Sequence, residues 1–154
     1  MVDGLILQQL QQVAKAGAEL NIGLYDQLLP TLLVATPKEI EIYGLTTEKE
    51  YLPMVILETL GKRQAQAYAL VLEAWSTQFL ERAAEYDYRV RDMAPDDRDE
   101  VVQIIVAERD NPSVRFSMAK IQISPTGHRH LEKWVENGSD GKAKACGAFV
   151  ITGW

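Results

Sequence analysis

The sequence predicts an α+β fold, with a single antiparallel β-sheet of five to six strands and two main helices packed on one face. Apolar residues are 47% and charged residues 25% of the 154-residue chain, which are ordinary proportions for a folded domain. Apolar runs with the spacing of strands follow one another after residue 28, and short turn sequences join most of them. No repeat or linker divides the chain, so we treat residues 1–154 as one domain.

The first predicted element is an amphipathic helix over about residues 3–20. Apolar residues at spacings of three and four define one helical face: Ile6, Leu10, Val13, Gly17 and Leu20. The opposite face is mostly glutamine, and the charged residues of the helix are Asp3, Lys15 and Glu19. Low charge on both faces indicates that one face contacts the core and the other a partner. We therefore predict an interface with a second copy or another protein at Ile6, Gln9, Leu10, Gln12 and Val13.

Two strands and a second helix are expected next. Residues 28–36 and 38–45 are apolar, contain β-branched side chains and are separated by a turn, which predicts a hairpin-like strand pair. A short helix over residues 26–33 is the alternative. Thr47 and, three residues later, Glu50 form a capping-box pattern, which predicts a helix that begins there and ends near Gly61.

Three further strands are predicted at residues 65–77, 101–108 and 114–124. The first of them is apolar on both faces and is therefore expected to be central. Residues 128–135 favour a fourth strand over a short helix, which gives the order α-β-β-α-β-β-β-β. Residues 78–99 form a long polar connection that holds either a short helix or a functional or mobile loop.

The charge of the chain disfavours nucleic acid as a general partner. Sixteen basic and 22 acidic residues give a net charge of −6, whereas nucleic-acid affinity depends mainly on phosphate neutralisation. Residues 81–100 carry a local charge of −4 and residues 115–144 a local charge of +3. Arg115, Arg129 and Lys133 in the basic stretch are candidate nucleic-acid contacts, although basic residues on exposed strands also keep a sheet soluble.

Targeting signals are not evident in the sequence. Asp3 stands where a signal peptide has basic residues, and glutamines interrupt the apolar stretch that follows. No stretch approaches the ~18 apolar residues of a membrane span. A single cysteine, Cys146, excludes an intramolecular disulfide and suits a reducing compartment. We therefore expect a cytoplasmic protein with no membrane partner.

Glu73 is the candidate catalytic residue. On a strand over residues 67–76 its side chain shares a face with apolar neighbours. A carboxylate in such a place has a raised pKa unless a cation meets it, and such groups are frequent at functional sites. The structural interpretation is an ion pair with Arg109 or Arg115 on a neighbouring strand, or a strand end that emerges into water.

His128 and His130 are the candidate metal ligands. Two residues apart on a strand, they would face the same side, with Cys146 or Asp140 as a third ligand. No fixed spacing supports such a site, so solvated polar side chains are the expected state. The acidic run at residues 96–100 lacks the glycine and glutamate spacing of an EF-hand loop. We predict no metal site and no cofactor.

Motifs of nucleotide binding and serine hydrolysis are absent from the sequence. The leading hypothesis is therefore a non-enzymatic protein-binding or regulatory module that acts as a homodimer or other homo-oligomer. The alternative is a small enzyme or ligand-binding protein with a pocket between sheet and helices, centred on Glu73. A third hypothesis is nucleic-acid binding through residues 115–144.

Overall fold

A curved antiparallel sheet with flanking helices forms the body of the protein in a computed structural model. The structure describes residues 4–24, 26–77, 79–87, 89–111, 114–137 and 154. The helices are α1 (Gly4–Asn21), α2 (Leu52–Lys62) and α3 (Leu80–Glu85). The strands are β1 (Thr31–Ala35), β2 (Ile40–Gly44), β3 (Ala67–Ser76), β4 (Asp99–Glu108), β5 (Val114–Ile123), β6 (Arg129–Leu131) and β7 (Val135–Asn137).

Within the described residues the sheet has seven strands in the order β2-β1-β3-β4-β5-β6, and β7 also pairs with β5. Every pair of neighbouring strands is antiparallel. The sheet curves into a half-barrel. The predicted fold class, α+β with one antiparallel sheet and two main helices, is confirmed.

The central strand of the sheet is β3, as its apolar sequence predicts. It pairs with β1 on one side and with β4 over its whole length on the other. Residues 67–72 are buried, with alternate side chains on opposite faces. One face belongs to the core under α1 and the other to the core under α2: Ala67, Ala69 and Val71 on the first, Tyr68, Leu70 and Leu72 on the second.

The two main helices therefore cover opposite faces of the sheet, and the prediction that both pack on one face is wrong. Leu10 of α1 packs in one core cluster, whereas Leu52, Ile56 and Leu60 of α2 pack in the other. The physical reason lies in β3. A strand that is apolar on both faces needs a cover on each, and one helix layer can bury only one of them.

The buried face of α1 is rotated from the predicted one. Leu10, Ala14 and Ala18 are buried, whereas Val13 is 40% exposed and Leu20 is 72% exposed. The prediction followed the largest apolar side chains. Small alanines instead face the sheet, and they allow the helix backbone to approach the alanines of β3 closely.

The start of α2 also differs from the predicted capping box. A 3-10 turn at Lys49–Tyr51 leads into the helix, and no side chain caps the first residue of either element. Pro53 lies in the first turn of the helix, where a backbone N–H has no partner within the helix, so its absence costs no hydrogen bond. Proline therefore fixes this helix start in place of the predicted Thr47 and Glu50 pair.

The remaining alternatives of the sequence are settled by the structure. Residues 31–35 form a strand, and the connection at residues 78–99 contains α3 and two 3-10 turns, Val90–Asp92 and Pro95–Asp97. Residues 128–135 contain the short strand β6, and β7 begins at Val135. None of the described helices is long and apolar enough to cross a membrane.

Polar side chains tie α1 to the far end of the sheet. Gln11 Nε2 donates to Ser117 Oγ and to Glu136 Oε2, both at 2.8 Å. Ser117 Oγ donates to Glu136 Oε2 at 2.6 Å, and Lys15 forms an ion pair with Glu136. Ser117 is buried, so these bonds satisfy a hydroxyl that would otherwise lose its hydrogen bonds to water.

Candidate functional site

Glu73 lies on β3 two residues after Val71, which is opposite Thr31, the first residue of β1. Its Oε1 accepts the backbone N–H of Leu28 at 2.6 Å and a guanidinium N–H of Arg129 at 2.6 Å. The side chain of Glu73 is 12% exposed and that of Arg129 is 10% exposed. Desolvated charges at this distance stabilise each other strongly, so Glu73 is held in an ion pair rather than left among apolar neighbours.

The cation that meets Glu73 comes from an unexpected strand. The structural interpretation of the sequence named Arg109 or Arg115 as the partner of Glu73, and that assignment is wrong. The partner is Arg129, which the sequence offered as a candidate nucleic-acid contact. Arg129 begins β6, opposite Ile123 of β5, and its Nη1 also donates to the carbonyl of Asp26 at 2.6 Å. The curvature of the half-barrel brings this strand back over the chain that precedes β1.

Glu100 is the second carboxylate of the site. On β4 it shares a face with Val102, which lies opposite Glu73, so the two glutamates are diagonal neighbours across the β3–β4 pair. Glu100 Oε1 lies 3.6 Å from Arg129 Nη2. Burial and then the negative charge of Glu73 raise the pKa of Glu100, and the nearby Arg129 and Arg98 lower it by less.

These three side chains form what we call the glutamate cluster: Glu73, Glu100 and Arg129. Within the described residues, its ion pairs join one guanidinium to two carboxylates, and the shorter contact goes to Glu73. Glu100 thus carries a negative charge that the cluster itself neutralises only in part. Such a carboxyl either holds a proton or attracts a cationic group.

A cavity of about 570 Å³ opens beside the glutamate cluster. Its lining includes residues 72–75 of β3, Leu28, Leu52 and Glu100. This volume falls within the range of roughly 300–1,000 Å³ that small-ligand sites occupy. In such a site the apolar walls bury the ligand, and the few polar groups, here two carboxylates, fix its orientation.

Basic side chains stand at other parts of the same cavity. Lys49, Arg89 and Arg91 line it, and all three residues are exposed. Trp75 also lines it, and the guanidinium carbon of Arg98 lies 4.1 Å from the centre of its ring. The cavity therefore offers carboxylates at the glutamate cluster and cations elsewhere, so it suits a ligand that carries both signs of charge.

The two candidate metal ligands lie at the start of β6. His128 and His130 are both exposed, the first ahead of β6 and the second within it. No group of three or more metal-ligating side chains occurs in the described residues. Cys146 and Asp140, the proposed third ligands, lie outside the described part of the chain.

The predicted basic surface loses one of its three members. Arg115 on β5 and Lys133 after β6 are exposed, but the Arg129 side chain is buried in the glutamate cluster.

The predicted interface residues fall on different sides of α1. Leu10 is fully buried against the sheet and belongs to the core, because it faces β3 and β4. Ile6 is half-buried at the margin, and Gln9, Gln12 and Val13 are exposed. The outer face of α1 has an uncharged row that consists of Leu5, Gln9, Gln12, Val13, Ala16 and Leu20. The exposed Glu19 lies beside this row and accepts a hydrogen bond from Trp134 Nε1.

Two residues of the glutamate cluster were missed as partners of Glu73. Glu100 appeared to belong to a solvated acidic run, yet β4 begins at Asp99 and so includes it. A strand start two residues earlier would have placed Glu100 on a buried face. Arg129 carried no local signal, because 56 residues separate it from Glu73.

Comparisons with known proteins add no assignment to this geometry: no protein family matches the chain, and no curated protein or solved structure shows significant similarity to it.

Proposed function

We propose that the protein binds a small ligand with a cationic group in the cavity beside the glutamate cluster. The observation that carries this proposal is the close approach of Glu73 and Glu100, whose burial and mutual repulsion outweigh the nearby guanidinium groups of Arg129 and Arg98. A ligand ammonium or guanidinium at Glu100 would neutralise the remaining charge in a partly desolvated place, where ion pairs are stronger than in water.

The presence of a second carboxylate that the link between strands does not need supports a binding role over a purely structural one. The ion pair of Glu73 with Arg129 links β3 to β6, and Glu100 is not needed for that link. A glutamine at position 100 would relieve the repulsion between the two carboxylates. Charged groups that destabilise a fold are typical of sites where activity opposes stability.

The test is an NMR titration with two probes of equal chain length and opposite charge, n-butylammonium and butyrate. We expect n-butylammonium to shift the amide signals of residues 72–75 and of Glu100, and to bind Glu100→Gln at least ten-fold more weakly. Glu39→Gln is the matched control, since it removes one exposed negative charge in the β1–β2 turn. Butyrate that shifts the amide signal of Glu100 as strongly as n-butylammonium does, or an unchanged affinity of n-butylammonium for Glu100→Gln, would refute the proposal.

A second candidate function is self-association through the outer face of α1. The support for it is the uncharged row on that face, in which Leu5 is 57% and Leu20 is 72% exposed. A chain of net charge −6 repels its own copies, and an uncharged apolar face is the part at which that repulsion is weakest. Two copies of such a face can meet about a two-fold axis.

Sedimentation velocity tests this second function. We expect a dimer whose dissociation constant rises at least ten-fold in Val13→Lys. Met54→Lys is the control, because Met54 is 61% exposed on the other helix and the charge change is the same. A monomeric wild-type protein, or a dimer that Val13→Lys leaves intact, would exclude this interface.

A further inference from the structure

The cavity lies where the sheet lacks a strand. β1 pairs with β3 only as far as Thr31 opposite Val71, whereas β4 pairs with β3 as far as Ser76. In the part of the chain that the structure describes, residues 72–76 thus have a strand partner on one side only. Four of them in a row, residues 72–75, line the cavity. Successive strand side chains point to opposite faces, so a wall of four consecutive residues is the edge of the strand.

The chain that precedes β1 stays beside β3, but in the described residues its backbone pairing with β3 stops at Thr31. Leu28 is buried in the core under α1 and donates its N–H to the carboxylate of Glu73 rather than to a backbone carbonyl. Pro30 has no N–H, and its carbonyl accepts the N–H of Leu45 at 2.8 Å. The N–H of Leu28 and the carbonyl of Pro30 are therefore used in bonds other than a ladder to the backbone of residues 72–75, which line the cavity.

An open strand edge presents N–H and C=O groups from alternate residues, and a backbone of the same kind is the natural partner for them. Residues 72–75 span about 13 Å at ~3.3 Å per residue, which is room for roughly four extended residues. Glu100 at one side of the site and the basic residues Lys49 and Arg89 at another add charge for side-chain selection.

We propose that the occupant of the cavity is an extended peptide segment that adds to the edge of β3, with a basic side chain at Glu100 and an acidic group near Lys49 and Arg89. This inference rests on the ligand site proposed above and specifies its ligand class. Backbone bonds to residues 72–75 supply the register, and the pocket beside the glutamate cluster selects the basic side chain.

The experiment uses a pool of N-acetylated pentapeptide amides with lysine at the third position, glutamate at the fifth and varied residues elsewhere. Two control pools carry N-methyl groups on alternate backbone amides, one pool for each set of alternate residues. N-methylation removes donors from one edge of the peptide and leaves every side chain in place. Binding is followed by amide hydrogen exchange of residues 72–75 in the folded protein.

We expect the unmodified pool to slow exchange at alternate residues among 72–75 at least ten-fold, and one N-methylated pool to lose at least ten-fold in affinity. The substitution Glu100→Gln should weaken the binding of the unmodified pool by a similar factor, and Glu39→Gln should leave that binding unchanged. Equal binding of all three pools would overturn strand addition. If n-butylammonium binds and no peptide pool does, the peptide inference fails while the ligand site stands; if neither binds, both fail.

Discussion

The guanidinium of Arg129 and the carboxylate of Glu73 lie 2.6 Å apart, although two other strands separate β6 from β3 in the order of the sheet. This contact joins one edge of the half-barrel to its centre. The second bond of Arg129, to the carbonyl of Asp26, ties the same strand to the chain between α1 and β1. Arg129 thus links β6 both to β3, through a residue that lines the cavity, and to the chain before β1.

Removal of the two partners of this ion pair should have unequal effects. Arg129→Met leaves two partly buried carboxylates without their guanidinium, and loss of one partner of a buried pair costs about 3–5 kcal/mol. Glu73→Gln keeps an acceptor for the N–H of Leu28, and Glu100 remains as a carboxylate partner for Arg129. We therefore expect a smaller loss of unfolding free energy. Urea unfolding measures both, with Arg115→Met, an exposed change on β5, as the control. A loss in Glu73→Gln as large as that in Arg129→Met would contradict the sharing of Arg129.

Glu100→Gln should stabilise the protein at neutral pH. The folded state raises the pKa of this carboxyl above its ordinary value of 4.5, so folding favours the neutral form. The destabilisation is therefore absent below that value and grows as the pH rises through the raised pKa. Because the side chain is 36% exposed, solvent screening should keep the gain below about 1 kcal/mol. Urea midpoints of wild type and Glu100→Gln that differ equally at acidic and neutral pH would be inconsistent with this origin.

Gln103→Met should also stabilise the protein. Gln103 is 1% exposed on β4, and neither its Nε2 nor its Oε1 has a hydrogen-bond partner in the described structure. A buried polar group without a partner costs about 1–3 kcal/mol, and methionine fills a similar volume without one. Thermal unfolding of the two proteins tests this. A lower midpoint in Gln103→Met would mean that the amide is hydrogen-bonded in solution.

Acid should weaken the link between α1 and β7. Burial alone would raise the pKa of Glu136, but hydrogen bonds from Lys15, Ser117 and Gln11 outweigh it and hold that pKa below its ordinary value of 4.5. A lowered pKa means that the stabilisation is complete above that value and is lost as the pH falls through the folded-state value. Wild type should therefore lose more stability on acidification than Glu136→Gln does. Parallel pH profiles for the two proteins would rule out this contribution.

Local patterns in the sequence were enough for the elements and for the central strand. Residues 65–77 are apolar on both faces, and a strand with that pattern must be covered on both sides. The same pattern holds the information that the helices lie on opposite faces. The hydrophobic rows of α1 were less informative, because alanines rather than the larger Val13 and Leu20 meet the sheet.

The candidate site could be predicted only in part. Glu73 was identified from its apolar neighbours on β3, which is a property of the strand alone. Its partners depend on register and curvature: Glu100 becomes a neighbour only when residue 73 lies opposite residue 102, and Arg129 only when the sheet bends. Strand register and sheet curvature cannot be inferred from a short stretch of sequence.

The bonds between α1 and β7 have a consequence for the order of events during synthesis. Lys15 and Glu136 are 121 residues apart, and ribosomes add roughly 5–20 residues per second. The helix is therefore made roughly 6–24 s before its last partner leaves the ribosome. Leu10 packs against β3 and β4, which precede Glu136 in the chain. Its row stays uncovered until those strands emerge, so a nascent chain arrested before β4 should be a better chaperone client than the finished one.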